Sequence, residues 1–259
     1  MFGMTPWRLP NAHPHWQRKV MTSYIDFERL ESIDPIEFRS VKPYPFHNTK
    51  GLLTQSGFQS LLDNMPDIEI FERKFGAERR AGQKPHDRFS LEYTPETPVP
   101  TAWKDFIGEL CSDRYRNKIA ELLDAKNIEF RFHWHYTPNG CSVSPHTDAR
   151  REHGSHLYYF NSEDDWDPSW GGDTLVLDDG GRLDYNSAPP LEAFDGEIAC
   201  ESLGNYSSIM LRNDHAWHAV REINCPEDKM RRIFIVVVNP DNLFWKVRDK
   251  VIGKSIQRF

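Results

Sequence analysis

Ile128-Glu129-Phe130-Arg131-Phe132-His133-Trp134-His135-Tyr136 alternates apolar and polar residues over its whole length. A period of two belongs to an extended strand with one buried face, because successive side chains leave the backbone on opposite sides. Thr137-Pro138-Asn139-Gly140 then supplies turn chemistry. Similar strand patterns follow at 156–161, 173–177, 182–185, 196–200, 207–212, 217–222 and 231–238, separated by breakers such as Asp179-Gly180-Gly181 and Asp195-Gly196. About eight short strands in roughly 110 residues, with no helix between them, predict an antiparallel sandwich or jelly roll rather than a parallel α/β sheet.

Upstream the pattern changes. Pro35, Pro43 and Pro45 interrupt any long helix before residue 50. Leu52, Leu53, Phe58, Leu61 and Leu62 fit a short amphipathic helix within 51–63. Residues 72–88 carry Arg73, Lys74, Arg79, Arg80, Lys84 and Arg88 and read as a solvated loop, with an anion-binding lid as the alternative. After the Pro-rich connector 94–100, apolar spacing from Trp103 to Leu123 predicts a helix of about twenty residues over 101–124, with Thr101 as N-cap. Beyond Asn239-Pro240, Leu243, Phe244, Val247 and Val251 predict a closing helix. The expected architecture is α+β with a mainly β core in one folding unit, 1–259. It comprises a helical and irregular part (1–127), a jelly-roll core (128–240) and a short C-terminal helix (241–259).

Composition narrows the function classes. The 32 Lys and Arg against 39 Asp and Glu give a net charge of −7, which argues against non-specific binding to nucleic acid or anionic membrane. Aromatic residues make up 13% of the chain, eight of them Trp, as expected of an ordered core rather than a disordered chain. Cys111, Cys141, Cys200 and Cys225 lack zinc-binding spacing and read as reduced thiols of a cytoplasmic protein. No apolar run approaches the roughly 18 residues of a membrane span. Met1 to Val20 lacks a signal peptide's apolar stretch, and Met21 is an alternative start.

Chemistry concentrates at Pro145-His146-Thr147-Asp148. In an extended segment His146 and Asp148 project to the same side, an imidazole beside a carboxylate. That pair supplies two of the three ligands of a 2-His-1-carboxylate facial triad, although a three-residue pattern alone recurs by chance. Trp217-His218 follows, and then Arg231-Arg232 opens a strongly apolar strand.

In this order the residues resemble the Fe(II)/2-oxoglutarate-dependent oxygenases, in particular the prolyl-4-hydroxylase-like branch. The resemblance spans about residues 128–240. It includes Tyr136 and Gly140, the strand Leu157-Tyr158-Tyr159-Phe160-Asn161, Trp170-Gly171-Gly172-Asp173-Thr174-Leu175 and Ala216-Trp217-His218-Ala219-Val220. It implies a double-stranded β-helix and Fe(II) held by His146, Asp148 and His218. It also implies 2-oxoglutarate and O2 as cosubstrates, succinate and CO2 as coproducts, and hydroxylation of an aliphatic C–H bond. The substrate would be a protein side chain or a small metabolite. His215 competes for the third ligand position, and the Trp-His-Ala-Val surroundings favour His218. Arg231 matches the residue that takes the distal carboxylate of 2-oxoglutarate, whereas Arg232 faces the other side of the strand; a register shift of one residue exchanges them.

Tyr136 and Tyr159 match positions that can point at the cosubstrate, with core packing as the alternative for each. His133 and His135, on one face with Arg131, are either sheet residues or pocket lining. Glu163-Asp164-Asp165-Trp166-Asp167 reads as a solvated loop ahead of a calcium site. Two other functions compete: a cupin-like metal enzyme that does not use 2-oxoglutarate, and a non-catalytic β-sandwich binding module.

Overall fold

The computed structural model describes residues 23–241 and Phe259. Its elements run α1 (Phe27–Glu31), α2 (Pro35–Ser40), β1 (Phe46–Lys50), α3 (Gln55–Leu62), β2 (Glu72–Lys74), β3 (Arg88–Glu92), α4 (Thr101–Leu110) and α5 (Asp113–Leu122). Then come β4 (Ile128–Pro138), β5 (Val143–His146), β6 (Gly154–Tyr159), β7 (Thr174–Asp178), β8 (Gly196–Cys200), β9 (Tyr206–Leu211), β10 (Trp217–Val220) and β11 (Met230–Pro240).

The strands form a major sheet of seven in the order β1-β9-β6-β11-β4-β3-β2 and a minor sheet of four in the order β5-β10-β7-β8. From β4 onward the chain passes back and forth between the two sheets, which makes the core a jelly roll. β11 is central to the major sheet, paired antiparallel with β4 on one side and β6 on the other.

Alternation divides the major sheet. Phe130, Phe132 and Trp134 of β4 and Phe234, Val236 and Val238 of β11 are fully buried on one face. There they pack on Trp103, Phe106, Ile107 and Leu110 of α4 and Tyr115, Ile119 and Leu122 of α5. Trp103 is central, with its ring 5.1 Å from Trp134 and 5.1 Å from Phe234. Phe259 adds its ring 5.4 Å from Phe132, and its backbone exchanges hydrogen bonds with Phe130. The other face of the sheet looks toward the minor sheet.

Several elements differ from the sequence expectations. The helix over 101–124 is two helices. Ser112 adopts an extended conformation between them, and its hydroxyl accepts from the Tyr115 amide, capping α5. Thr101 is the first helical residue of α4 and Pro100 occupies the cap. As expected, no long helix spans Pro35, which instead starts the short α2 behind the Asp34 cap, because proline lacks only a donor that the first turn leaves unused. Residues 182–185 are a loop: the Asp179 carboxylate accepts from the amides of Gly181 and Leu183 and diverts the chain from sheet pairing. β1, β2 and β3 lie in the part expected to be helical or irregular, so 72–88 begins and ends in strand. The closing helix after Pro240 lies outside the described residues, as does Met1 to Val20. Among the described residues no helix is long and apolar enough to cross a membrane.

Candidate metal centre

β5 ends at His146, and β10 places His218 directly opposite it in antiparallel register. Asp148 follows two residues beyond His146. One ligand atom from each of His146, Asp148 and His218 lies within 4.8 Å of the others. His218 Nε2 is 3.7 Å from Asp148 Oδ1, and the two imidazole centroids are 4.3 Å apart.

Both rings are oriented in the same way. His146 Nδ1 lies 3.0 Å from the Ser144 carbonyl, and His218 Nδ1 lies 3.2 Å from the Ala216 carbonyl. A carbonyl can only accept, so each Nδ1 carries the proton and each Nε2 offers its lone pair to the site. Burial, reinforced by His218 and His86, pushes the His146 pKa well down and keeps the ring neutral. Two imidazoles with Nε2 turned to the site and a carboxylate are a donor set suited to a divalent transition metal. Among the described residues no other cluster of this kind occurs.

The three side chains line a cavity of about 600 Å³ between the sheets. Its opposite wall is the second face of the major sheet: Arg131, His133, His135 and Thr137 of β4, and Arg231, Ile233, Ile235 and Val237 of β11. His133 and His135 are therefore pocket lining. Burial drives the pKa of both down, that of His133 to about 3, so both rings are uncharged.

Arg231 is only 5% exposed. Its Nε donates to the Gly172 carbonyl and its Nη2 to Thr174 Oγ1 at 3.0 Å. Desolvation lowers its pKa, and among the described residues no carboxylate forms an ion pair with it. Gly172, at φ +100°, makes this crossing feasible: a Cβ there would meet Arg231 Cδ at 3.2 Å and Trp166 Cζ2 at 3.3 Å.

Arg232 faces the other way and pairs with Asp165. Asp165 also accepts from the Ser162 amide, so this part of the acidic loop is tied into the protein. His215 is bound to Asp179 Oδ2 at 2.8 Å with its side chain 45% exposed, and takes no part in the triad.

The two tyrosines separate. The Tyr159 ring lies 5.7 Å beneath the Arg231 guanidinium, and its hydroxyl meets Thr174 Oγ1 and Ser208 Oγ, each at 3.0 Å. Burial pushes its pKa up to about 12. It supports the arginine and the threonine without lining the cavity. The expectation that Tyr136 points at a cosubstrate is not met. Tyr136 pairs across the strand with Arg232, on the face away from the cavity. Its hydroxyl donates to the Pro66 carbonyl at 3.0 Å, and its ring centroid lies 4.3 Å from that of Phe71. His135 and Thr137 take the cavity positions on either side of it.

Sequence reasoning left His86 unassigned and read Arg88 within a solvated loop, with an anion-binding lid as the alternative; both line the cavity. The His86 ring is 4.5 Å from that of His146, and its Nε2 is 3.0 Å from Ser144 Oγ. The usable signal was the alternation Arg88-Phe89-Ser90-Leu91-Glu92, which the surrounding basic residues obscured.

No protein-family model and no curated protein matches this sequence. Solved structures do resemble the fold. A prolyl-4-hydroxylase from Pseudomonas putida aligns with a TM-score of 0.53 at 16% identity, over 76% of this chain and 93% of its own. A prolyl hydroxylase from Trichoplax adhaerens, in complex with a hypoxia inducible factor oxygen degradation domain peptide fragment, gives 0.57 at 12% identity, over 89% and 94%. SnoK, a non-haem α-ketoglutarate-dependent carbocyclase of nogalamycin biosynthesis, gives 0.55 at 10% identity, over 82% and 85%. At these identities the likeness shows the fold, a jelly roll of the kind found in 2-oxoglutarate oxygenases.

Proposed function

We propose that this protein is an Fe(II)/2-oxoglutarate-dependent oxygenase in which His146, Asp148 and His218 hold the metal and Arg231 takes the distal carboxylate of 2-oxoglutarate. One observation carries the reading: three convergent metal-ligand atoms share a cavity with a buried guanidinium that forms no ion pair with a described carboxylate, Asp173 acting on it only through space. A buried cation is costly without a counter-charge, and an anionic ligand supplies one. The missing carboxylate counts against a cupin-like enzyme that ignores 2-oxoglutarate, and the convergence of the triad counts against a binding module.

Bound iron would supply the activation of O2, coupled to decarboxylation of 2-oxoglutarate to succinate and CO2 and to oxidation of an aliphatic C–H bond of the substrate. The chain's own groups do the rest. The Ser144 and Ala216 carbonyls hold the histidine tautomers, with Nε2 toward the metal. Thr174 Oγ1, the Gly172 carbonyl and the Tyr159 ring aim the Arg231 fork, whose planar geometry matches a carboxylate. Ile233, Ile235, Val237 and Leu157 give the cavity an apolar floor. The resembling structures include both a peptide-bound hydroxylase and a carbocyclase. Hydroxylation of a protein side chain or a small metabolite is the reaction proposed here.

The test is succinate formation from 2-oxoglutarate by protein reconstituted anaerobically with Fe(II) and then exposed to O2. Wild-type protein should turn over, and His146→Ala should abolish turnover while keeping its fold by circular dichroism. Succinate production by His146→Ala at the wild-type rate would overturn the assignment.

A further inference from the structure

The cavity holds a second cation that the cosubstrate leaves unused. Lys74 pairs with Glu72 at 3.2 Å and Arg131 with Glu92 at 2.9 Å, and Arg79 is engaged as well. Arg88 differs from these. Its Nη1 donates to the His86 carbonyl at 2.7 Å, its buried Nε has no acceptor, and no described carboxylate forms an ion pair with it. The adjacent Asp87 acts on Arg88 through space without pairing with it, its Oδ1 accepting from the Gly76 amide at 2.7 Å. Desolvation lowers the Arg88 pKa, as it does for Arg231.

Sheet register locates the two arginines relative to each other. Ser90 of β3 pairs with His135 of β4, which pairs with Ile233 of β11. Arg88 precedes Ser90 by two residues and Arg231 precedes Ile233 by two, so both lie on the cavity face at the same end of the sheet. They are two strands apart, which separates their backbones by about 10 Å. Arg231 turns to Gly172 and Thr174, whereas Arg88 turns to His86, whose ring packs on His146. The two guanidinium groups thus serve the metal centre from different sides.

We propose that Arg88 binds the carboxylate of a small organic acid, and that this acid is the compound oxidised at the site. The proposal rests on the oxygenase reading, in which Arg231 is already committed to 2-oxoglutarate. A carboxylate fits better than a phosphate. Arg88 offers one charge in a planar fork, its imidazole neighbours His133 and His135 are uncharged, and Glu78 also lines the cavity and would repel a polyanion. A small molecule fits better than a polypeptide. The volume is that of a metabolite pocket, and Gln83, 4% exposed, donates to the Ser187 carbonyl at 3.1 Å, strapping the segment between β2 and β3 to the loop after β7. The acid's hydrocarbon chain would lie on Ile233, Ile235 and Leu157.

The test uses the full chain loaded with Zn(II), a redox-silent substitute for iron, and saturated with 2-oxoglutarate. Sodium hexanoate and hexanamide are the probes, and their binding is followed by ligand-observed NMR line broadening. Wild-type protein should bind hexanoate about tenfold more tightly than hexanamide, the difference expected of one charge-assisted contact. Arg88→Gln should bring the two within about twofold. Arg88→Lys, which keeps the charge and a donor for the His86 carbonyl, should retain part of the preference and so separates a binding defect from a folding one. Equal binding of the two probes by wild type, or a preference that survives Arg88→Gln, overturns the proposal. So does a 2-oxoglutarate midpoint displaced as far by Arg88→Gln as by Arg231→Ala, since Arg88 would then be a cosubstrate clamp. Failure of the oxygenase reading has a different signature: wild-type protein then shows no 2-oxoglutarate binding at all.

Discussion

The two faces of the major sheet are built from alternate residues of the same strands and have opposite contents. One presents Phe130, Phe132, Trp134, Phe234, Val236 and Val238 to the helices, dry and ring-packed. The other presents Arg131, His133, His135 and Arg231 to a cavity that also holds the triad. A one-residue step along β4 or β11 therefore moves a side chain from the packing that stabilises the fold to the groups that carry the chemistry. Substitutions on the first face should lower stability, and those on the second should alter ligand binding with the fold intact.

The largest stability effect belongs to the aromatic face. Phe234 packs against Trp103, Phe106, Phe132 and Trp134, and Phe234→Ala should cost about 3–5 kcal/mol in urea unfolding. A loss under about 1 kcal/mol would mean that this face is not the structural one.

Arg231→Ala should do the reverse. Removing one partner of a buried charge pair costs about 3 kcal/mol at the lower end, so 2-oxoglutarate affinity should fall roughly a hundredfold. The unliganded protein loses an uncompensated buried charge together with the hydrogen bonds to Gly172 and Thr174, opposing changes that should leave its stability close to that of wild type. Arg231→Lys should recover part of the affinity, because an ammonium lacks the fork. The comparison fails if Arg231→Ala unfolds the protein as readily as Phe234→Ala.

A third effect is smaller and depends on pH. His156 is fully buried on the helix side, 2.9 Å from the Tyr115 hydroxyl, and burial holds its pKa down to about 3. The unfolded value is about 6.5, so between these limits the unfolded chain binds the extra proton. The stability that neutral His156 allows is complete above about pH 6.5 and falls with acidification by up to about 1.4 kcal/mol per pH unit. Unfolding followed from pH 6.5 to 4.5 should show a shallower acid slope in His156→Gln; an unchanged slope means that His156 is protonated in the fold.

The smallest effect is expected at Arg232, a partly exposed partner of Asp165. Arg232→Ala should change stability by less than about 1 kcal/mol and leave the 2-oxoglutarate requirement of succinate formation unchanged. A raised requirement would exchange the roles of Arg231 and Arg232.

How much was legible in the sequence follows from the same parity. The alternation in β4 by itself separates Phe130, Phe132, Trp134 and Tyr136 from Arg131, His133 and His135. It places Tyr136 with the apolar set, against the family likeness that points it at the cosubstrate. Spacing puts His146 and Asp148 on one side, but the approach of His218 depends on β5 pairing with β10, which spacing does not encode. β1, β2 and β3 are short and largely polar, and only pairing to β9 and β4 makes them strands. For that reason His86 went unassigned and Arg88 read as loop rather than as a strand residue facing the cavity. The break between α4 and α5 rests on one side-chain cap at Ser112, a local hydrogen bond that apolar periodicity over 101–124 cannot register.

The central claim is that His146, Asp148, His218 and Arg231 form a single Fe(II) and 2-oxoglutarate site. Its most direct test is an anaerobic titration of the Fe(II)-loaded protein with 2-oxoglutarate, following the weak visible charge-transfer absorbance of the chelate. Wild-type protein should develop the band and saturate, His146→Ala should show none, and Arg231→Ala should require roughly a hundredfold more 2-oxoglutarate. A wild-type protein that binds Fe(II) and develops no band, or an Arg231→Ala midpoint equal to that of wild type, would contradict the account.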